Sequence, residues 1–232
     1  MQISTQIYPL VGVGIGPGDP ELISVKGLKA LQQADVIYFP ASSITSTQTL
    51  SYSQAIIANY QLDVPCRPLH FPMGGADRQQ FYEEGWKTLR SDLEQGLKVA
   101  VVSEGDLLFY STFGYILRLA QADGFECQLV PGIPAFIHAA SIFQMPLVDE
   151  NRSIKVVARP ESYEAIDKAL SDKEVVVVMK MSVLKDWYNY LNVAKRPFFY
   201  VEKAGTTEQF VTSDVNDLKN RIIPYFSLII FQ

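Results

Sequence analysis

Glycine, proline and carboxylate crowd together in two stretches, Gly12-Val13-Gly14-Ile15-Gly16-Pro17-Gly18-Asp19-Pro20 and Ser103-Glu104-Gly105-Asp106. Glycine lets a ligand come close to the backbone. The dinucleotide fingerprint does not fit, because its last glycine falls on Pro17 counted from Gly12 and on Asp19 counted from Gly14. No Gly-Lys-Ser/Thr follows, so the phosphate-loop reading fails as well. Glu104 and Asp106 flank a glycine at a strand end, which fits a metal pair, an acid/base pair, or a turn closed by an Asp cap. A third turn, Val130-Pro131-Gly132-Ile133-Pro134-Ala135, leads towards His138. Met179, in Val178-Met179-Lys180, fits either a core methionine or one packed on a ligand.

These residues need a scaffold, and the apolar pattern supplies one. Leu10 to Ile15 reads as a buried strand. Pro20 to Ala34 reads as a helix, capped by Asp19, with Leu22, Val25, Leu28 and Leu31 on one face. Val36 to Phe39 is a strand stopped by Pro40, and Ala41 to Thr49 is a Ser/Thr-rich loop. A short helix over Tyr52 to Tyr60, an extended Leu69 to Met73 and a Gly-Gly loop follow. Arg78 to Gln95 is a helix with Phe81, Gly85, Leu89 and Leu93 in register, closed by Gly96. Lys98 to Ser103 and Glu126 to Val130 are strands, and Phe113 to Ala122 and Pro134 to Phe143 are helices.

Such alternation predicts an α/β unit with a mostly parallel sheet over residues 1–148. Residues 149–232 read as a second α/β unit of mixed strand direction. Its strands are Ile154 to Ala158, Val175 to Met179, Phe198 to Val201, Phe210 to Ser213 and Ser227 to Phe231. Its helices are Tyr163 to Leu170, Ser182 to Leu191 and Asp214 to Arg221. Ligands of open α/β sheets bind beyond the carboxyl ends of the strands, which is where the glycine turns fall.

The 232 residues are 48% hydrophobic, enough for a full core, and carry a net charge of −5. An acidic chain argues against nucleic acid, since phosphate binding needs a concentrated basic surface. Cys66 and Cys127 stand far apart and read as reduced cysteines of a cytoplasmic protein. No Cys/His spacing points to zinc or another metal. The N-terminal residues do not read as a signal peptide, and the longest apolar runs are too short to span a bilayer.

The opening VGVGIGPGDPELISVKGLKALQQADVIYFP resembles that of the tetrapyrrole (corrin/porphyrin) methylases over about thirty contiguous positions. The resemblance continues through the turn at Glu104-Gly105-Asp106, through Val130-Pro131-Gly132-Ile133, through Val178-Met179-Lys180 and through Glu202-Lys203-Ala204-Gly205-Thr206-Thr207-Glu208-Gln209. It implies a two-domain fold with a cleft for S-adenosyl-L-methionine between the domains. It also implies cofactor contacts at Pro17, Glu104, Gly105, Asp106, Phe109, Pro134, Ala135, Met179 and Ala204. The chain departs from the family pattern at Leu107, where proline is usual, and the turn is expected to be looser there. The Thr or Ser common at Pro134 and Ala135 is also missing.

Phe109-Tyr110-Ser111-Thr112-Phe113 is closer to precorrin-2 C(20)-methyltransferases than to the phenylalanine-glycine-arginine segment of uroporphyrinogen methylases. Phe71-Pro72-Met73 and the closing Pro224-Tyr225-Phe226-Ser227-Leu228-Ile229 are similar to the same group. The resemblance therefore implies a homodimeric methyltransferase acting on carbon 20 of precorrin-2 or cobalt-precorrin-2. Reduced tetrapyrroles are electron-rich at their bridging carbons, so placement against the methyl group does most of the work. Glu104, Asp106, Tyr110 and His138 are candidates for a base that handles a ring proton. Lys26, Arg67, Arg78, Arg118, Lys155, Arg159 and Lys180 are candidates for the substrate carboxylates. Of these, Arg159 and Lys180 stand out because each follows a strand. The alternatives are a methylase of another tetrapyrrole carbon and a non-catalytic module that keeps the cofactor site.

Overall fold

Short apolar strands separated by amphipathic helices must be covered on both faces, and parallel pairing achieves this. A computed structural model describes residues 6–41, 51–71, 78–149, 151–171 and 174–232, and the expectations for Ser42 to Thr49 and for Pro72 to Gly75 lie outside them. The chain divides into two compact units, Met1–Pro134 and Ala135–Gln232.

The first unit holds β1 (Leu10–Gly14), β2 (Val36–Ala41), β3 (Cys66–His70), β4 (Val99–Ser103) and β5 (Cys127–Val130). They form one parallel sheet in the order β3-β2-β4-β1-β5. Its helices are α1 (Val25–Gln32), α2 (Tyr52–Ala58), α3 (Arg78–Glu94) and α4 (Phe113–Ala122). From β1 the chain moves through α1 towards the β4 side, and from β4 it moves through α4 back past β1. Right-handed crossovers in opposite directions lie on opposite faces. Accordingly Leu31, Ile56 and Ile57 pack with Val13, Ile37 and Val102 on one face. Trp86, Leu89 and Ile116 pack with Leu10, Val99 and Val101 on the other. The carboxyl ends of β1 and β4 are thus a topological switch point, where such sheets open a crevice.

Local chemistry corrects three expectations in this unit. The helix expected from Pro20 is broken into a 3-10 turn, Pro20–Leu22, and α1. Asp19 does cap the turn, accepting from Glu21 N at 2.9 Å, but Ser24 then starts a second cap, accepting from Gly27 N at 3.0 Å. The helix rests on Gly27 and Leu31, which leaves Val25 71% exposed. Strand β2 runs through Pro40, because β4 pairs only with Val36–Tyr38 and the missing N–H lies beyond that ladder. On α3 the buried stripe is Tyr82, Gly85, Trp86, Leu89 and Leu93 rather than Phe81, and Gly96 ends the helix at φ 84° as expected.

The second unit holds α5 (Ala135–Ile142), β6 (Ile154–Ala158), α6 (Tyr163–Leu170), β7 (Val175–Met179), α7 (Trp187–Ala194), β8 (Phe198–Glu202), β9 (Phe210–Thr212) and β10 (Ser227–Phe231). The sheet order is β6-β7-β10-β8-β9, with β6 and β7 parallel and the other pairs antiparallel. The helix expected from Ser182 begins only at Trp187. Asp186 at φ 69° interrupts it, and Trp187 Nε1 donates back to the Met181 carbonyl at 2.9 Å. The helix expected over Asp214 to Arg221 is a 3-10 turn, Val215–Leu218, closed by the Asp214 side chain on Asn216 N and stopped near Asn220 at φ 62°.

Candidate active site

At the switch point the three glycine turns meet through their backbones. Gly105 N donates to the Gly16 carbonyl at 2.7 Å, Gly16 N to the Gly105 carbonyl at 3.3 Å, and Ile15 N to the Ser103 carbonyl at 3.0 Å. The third turn joins through Gly132 N, which donates to Asp106 Oδ2 at 3.0 Å. Side chains are excluded from this junction. A Cβ on Gly132 would stand 2.1 Å from the Gly105 oxygen, and one on Gly14 would stand 2.5 Å from Gly132 N.

Asp106 is the fastener. Its second oxygen accepts from Leu108 N at 2.9 Å, so both carboxylate oxygens hold backbone amides. Leu107 is 1% exposed and belongs to the core beneath the turn. The turn expected to be loose is therefore tied on one side by Asp106 and anchored on the other by a buried leucine. Ser111 shares a hydrogen bond with Ser103 at 2.6 Å and accepts from Phe113 N at 3.1 Å, folding the Phe109–Phe113 segment back onto the end of β4. Tyr110 is 53% exposed with φ 54°, its ring edge-on to Phe109 at 5.0 Å.

Two residues not singled out in the sequence complete this half. Tyr52 OH donates to the Pro17 carbonyl at 2.9 Å, and the fully buried Ser53 hydroxyl donates to the Glu104 carboxylate. Consecutive residues at the start of α2 thus hold both the first and the second turn. Ser51-Tyr52-Ser53-Gln54 has the spacing of a capping box, and Ser51 does accept from Gln54 N at 3.1 Å. That pattern announces a helix start and says nothing of distant partners. Just past the end of the helix, Tyr60 OH donates to the Pro20 carbonyl at 3.0 Å, and burial, then the nearby Asp19, push its pKa up to about 12.

The remaining expected contacts sit elsewhere along the chain. Pro134 closes the third turn, and Ala135 opens α5, which carries His138. Ser141 Oγ lies 3.4 Å from His138 Nδ1. In the second unit Met179 ends β7, and Ala204, 6% exposed, follows β8. Both stand at the same edge of that sheet, since Met179 pairs with Leu228 and Glu202 with Ser227. Glu202 is the last residue of β8. It is 5% exposed, takes Arg221 Nε and Nη2 at 2.7 and 2.8 Å, and accepts from Tyr200 OH at 2.5 Å.

Among the candidate cations, Arg67 is engaged structurally, with its guanidinium 3.0 Å from the buried Asp92, which also accepts from Tyr38 OH at 2.8 Å. Arg118 lies over the Tyr115 ring at 4.8 Å. Arg159 and Lys180 directly follow β6 and β7.

Comparison with known proteins matches residues 9–219 to the family described as Tetrapyrrole (Corrin/Porphyrin) Methylases. A precorrin-2 C(20)-methyltransferase from a Sinorhizobium species is 32% identical, over 95% of this chain and 94% of that protein. A probable cobalt-precorrin-2 C(20)-methyltransferase from Methanocaldococcus jannaschii is 28% identical, over 91% of this chain and 93% of that protein. Among solved structures, the cobalamin biosynthetic enzyme cobalt precorrin-4 methyltransferase superposes with a TM-score of 0.73 at 25% identity, covering 96% of this chain and 93% of that one. No helix among the described residues is long and apolar enough to cross a membrane.

Proposed function

The chain belongs to the tetrapyrrole (corrin/porphyrin) methylases, and from that premise we propose that it transfers a methyl group from S-adenosyl-L-methionine to carbon 20 of precorrin-2 or cobalt-precorrin-2. The observation that carries the reading is the near end-to-end relation to a precorrin-2 C(20)-methyltransferase at 32% identity.

The site residues suit such a cofactor. The joined turns stand at the carboxyl ends of β1 and β4, where open α/β sheets bind their ligands. The family resemblance supports cofactor contacts at Pro17, Glu104, Gly105, Asp106, Phe109, Pro134, Ala135, Met179 and Ala204. When bound, the cofactor supplies a methyl group activated on a sulfonium. The protein's part is to hold the ring carbon in line with it, a contribution of about 7–11 kcal/mol in ideal cases. Asp106 spends both oxygens on backbone amides and Glu104 accepts from the Ser53 hydroxyl, so these two proposed acceptors serve first to hold the turns. The family resemblance also supports a cytoplasmic homodimer.

Calorimetric titration with S-adenosylhomocysteine, followed by turnover with precorrin-2 and with cobalt-precorrin-2, tests the proposal. The expected result is binding and a product heavier by a single methyl on one of the two substrates. Binding without turnover on either would move the activity to another tetrapyrrole carbon or to a sensor.

A further inference from the structure

The carboxyl edge of the second sheet carries a row of cations. Strands β6, β7 and β8 run in one direction, because β6 and β7 are parallel and β10 is antiparallel to both β7 and β8. Each is followed at once by a basic residue: Arg159, Lys180 and Lys203. Backbone hydrogen bonds carry the register one residue past the strands. Arg159 N donates to the Met179 carbonyl at 3.2 Å, Lys180 N to the Ser227 carbonyl at 3.1 Å, and Lys203 N to the Phe226 carbonyl at 2.8 Å. The three residues therefore stand in line along one edge. With neighbouring strands about 4.8 Å apart, the row spans roughly 14 Å.

All three adopt the left-handed backbone, at φ 57°, 57° and 45°. That conformation suits Gly or Asn and is unfavourable for a long side chain. A chain that places a cation at each of the three positions is keeping charge there against the preference of its backbone. The surroundings fit a flat acidic ligand. Lys180 Nζ lies 5.7 Å from the Tyr225 ring, and Tyr225 stands edge-on to Phe226, which is 37% exposed. Lys203 pairs with the exposed Glu208, whose carboxylate an incoming one can replace. Arg159 is exposed and makes no side-chain hydrogen bond or ion pair among the described residues.

We propose that Arg159, Lys180 and Lys203 form a carboxylate-binding row that holds the peripheral acid groups of the tetrapyrrole. This rests on the methylase reading. Met179 and Ala204, assigned there to the cofactor, are chain neighbours of Lys180 and Lys203, so the row would bring the macrocycle to the methyl donor. The carboxylate of the cofactor itself is the same chemistry from another source, and the test separates the two.

Arg159→Asn, Lys180→Asn and Lys203→Asn remove each cation while supplying a residue that accepts the left-handed backbone, so melting temperatures equal to or above the parent protein are expected. The probes are uroporphyrin, a stable macrocycle with the same kind of peripheral carboxylates, and S-adenosylhomocysteine, each titrated by calorimetry. Each variant should bind uroporphyrin about tenfold more weakly, the loss typical of one charged hydrogen bond, with S-adenosylhomocysteine affinity unchanged. Unchanged uroporphyrin binding would overturn the proposal. So would a loss of S-adenosylhomocysteine affinity instead, which would give the cations to the cofactor. If the parent protein failed to bind S-adenosylhomocysteine while the uroporphyrin losses persisted, the row would stand and the methylase reading would fall.

Discussion

Replacing Gly132 by alanine should damage stability and cofactor binding together. The added Cβ would lie 2.1 Å from the Gly105 oxygen and 2.8 Å from the Gly14 carbonyl carbon, against the 3.4 Å at which ordinary contact begins. Both neighbours are backbone atoms, and Gly105 is tied to Gly16 through two hydrogen bonds. No side chain can swing away, so the turns themselves must part. Overpacking of this kind costs about 1–3 kcal/mol. Weakening of the bond from Gly132 N to Asp106 adds about 1 kcal/mol. The sum, about 2–4 kcal/mol, corresponds to a fall in Tm of roughly 5–12 °C for a chain of this size. Because the same turns are assigned to the cofactor, S-adenosylhomocysteine affinity should drop by about tenfold or more. Gly114→Ala is the control. It lies in α4, a Cβ there meets nothing within 4 Å, and alanine should add about 0.5–1 kcal/mol. Thermal denaturation and calorimetry on the two variants decide the matter. If Gly132→Ala melts and binds like the parent protein, the turns are not packed against one another as described.

Ser53→Ala removes the hydroxyl that holds Glu104 and should cost about 1 kcal/mol together with a measurable loss of S-adenosylhomocysteine affinity. Ser51→Ala removes only the cap of α2 and should cost about 1 kcal/mol with affinity retained. Equal binding losses in both would refute the separate role of Ser53. Asp123 is held below the usual carboxylate range first by the hydrogen bond from Trp86 Nε1, at 2.8 Å, and then by Arg90. A depressed carboxylate stabilises the fold above its unfolded pKa, about 3.9, and that contribution is lost as pH falls through the folded value. Asp123→Asn should therefore lower Tm at neutral pH, with the gap closing in acid. A gap that stays constant with pH would contradict the assignment.

Much of the scaffold was legible because it follows from periodicity. Strands such as Ile154–Ala158 and Val175–Met179, and helices such as Phe113–Ala122 and Tyr163–Leu170, fall where the apolar pattern places them. The missed helix boundaries fall where a side chain caps the backbone or a residue takes a left-handed φ. Ser24 restarts a helix that the apolar spacing runs through, Asp186 breaks one at a left-handed residue, and Asp214 turns another into a single tight turn. Periodicity averages over several residues and cannot register one hydroxyl or one positive φ. The glycine turns were readable as turns, but their convergence depends on strand order β3-β2-β4-β1-β5, and short-range patterns do not encode which strand lies beside which. The role of Ser53 was hidden for the same reason, since Glu104 lies 51 positions away.

The way the carboxylates are used bears on the chemistry. Read from sequence, Glu104 and Asp106 invite an acid/base mechanism. In the fold, Asp106 ties the second turn to the third, and Glu104 receives the hydroxyl of a buried serine. Both carboxylates at the switch point are thus engaged in holding the turns, one through backbone amides and one through a serine of α2. A reaction that needed a strong general base would be poorly served by that allocation. Transfer of an already activated methyl group to an electron-rich carbon would be well served, since its barrier falls chiefly through alignment. Rigidity is then the catalytic resource, and the glycines that let the three turns touch matter as much as any side chain nearby.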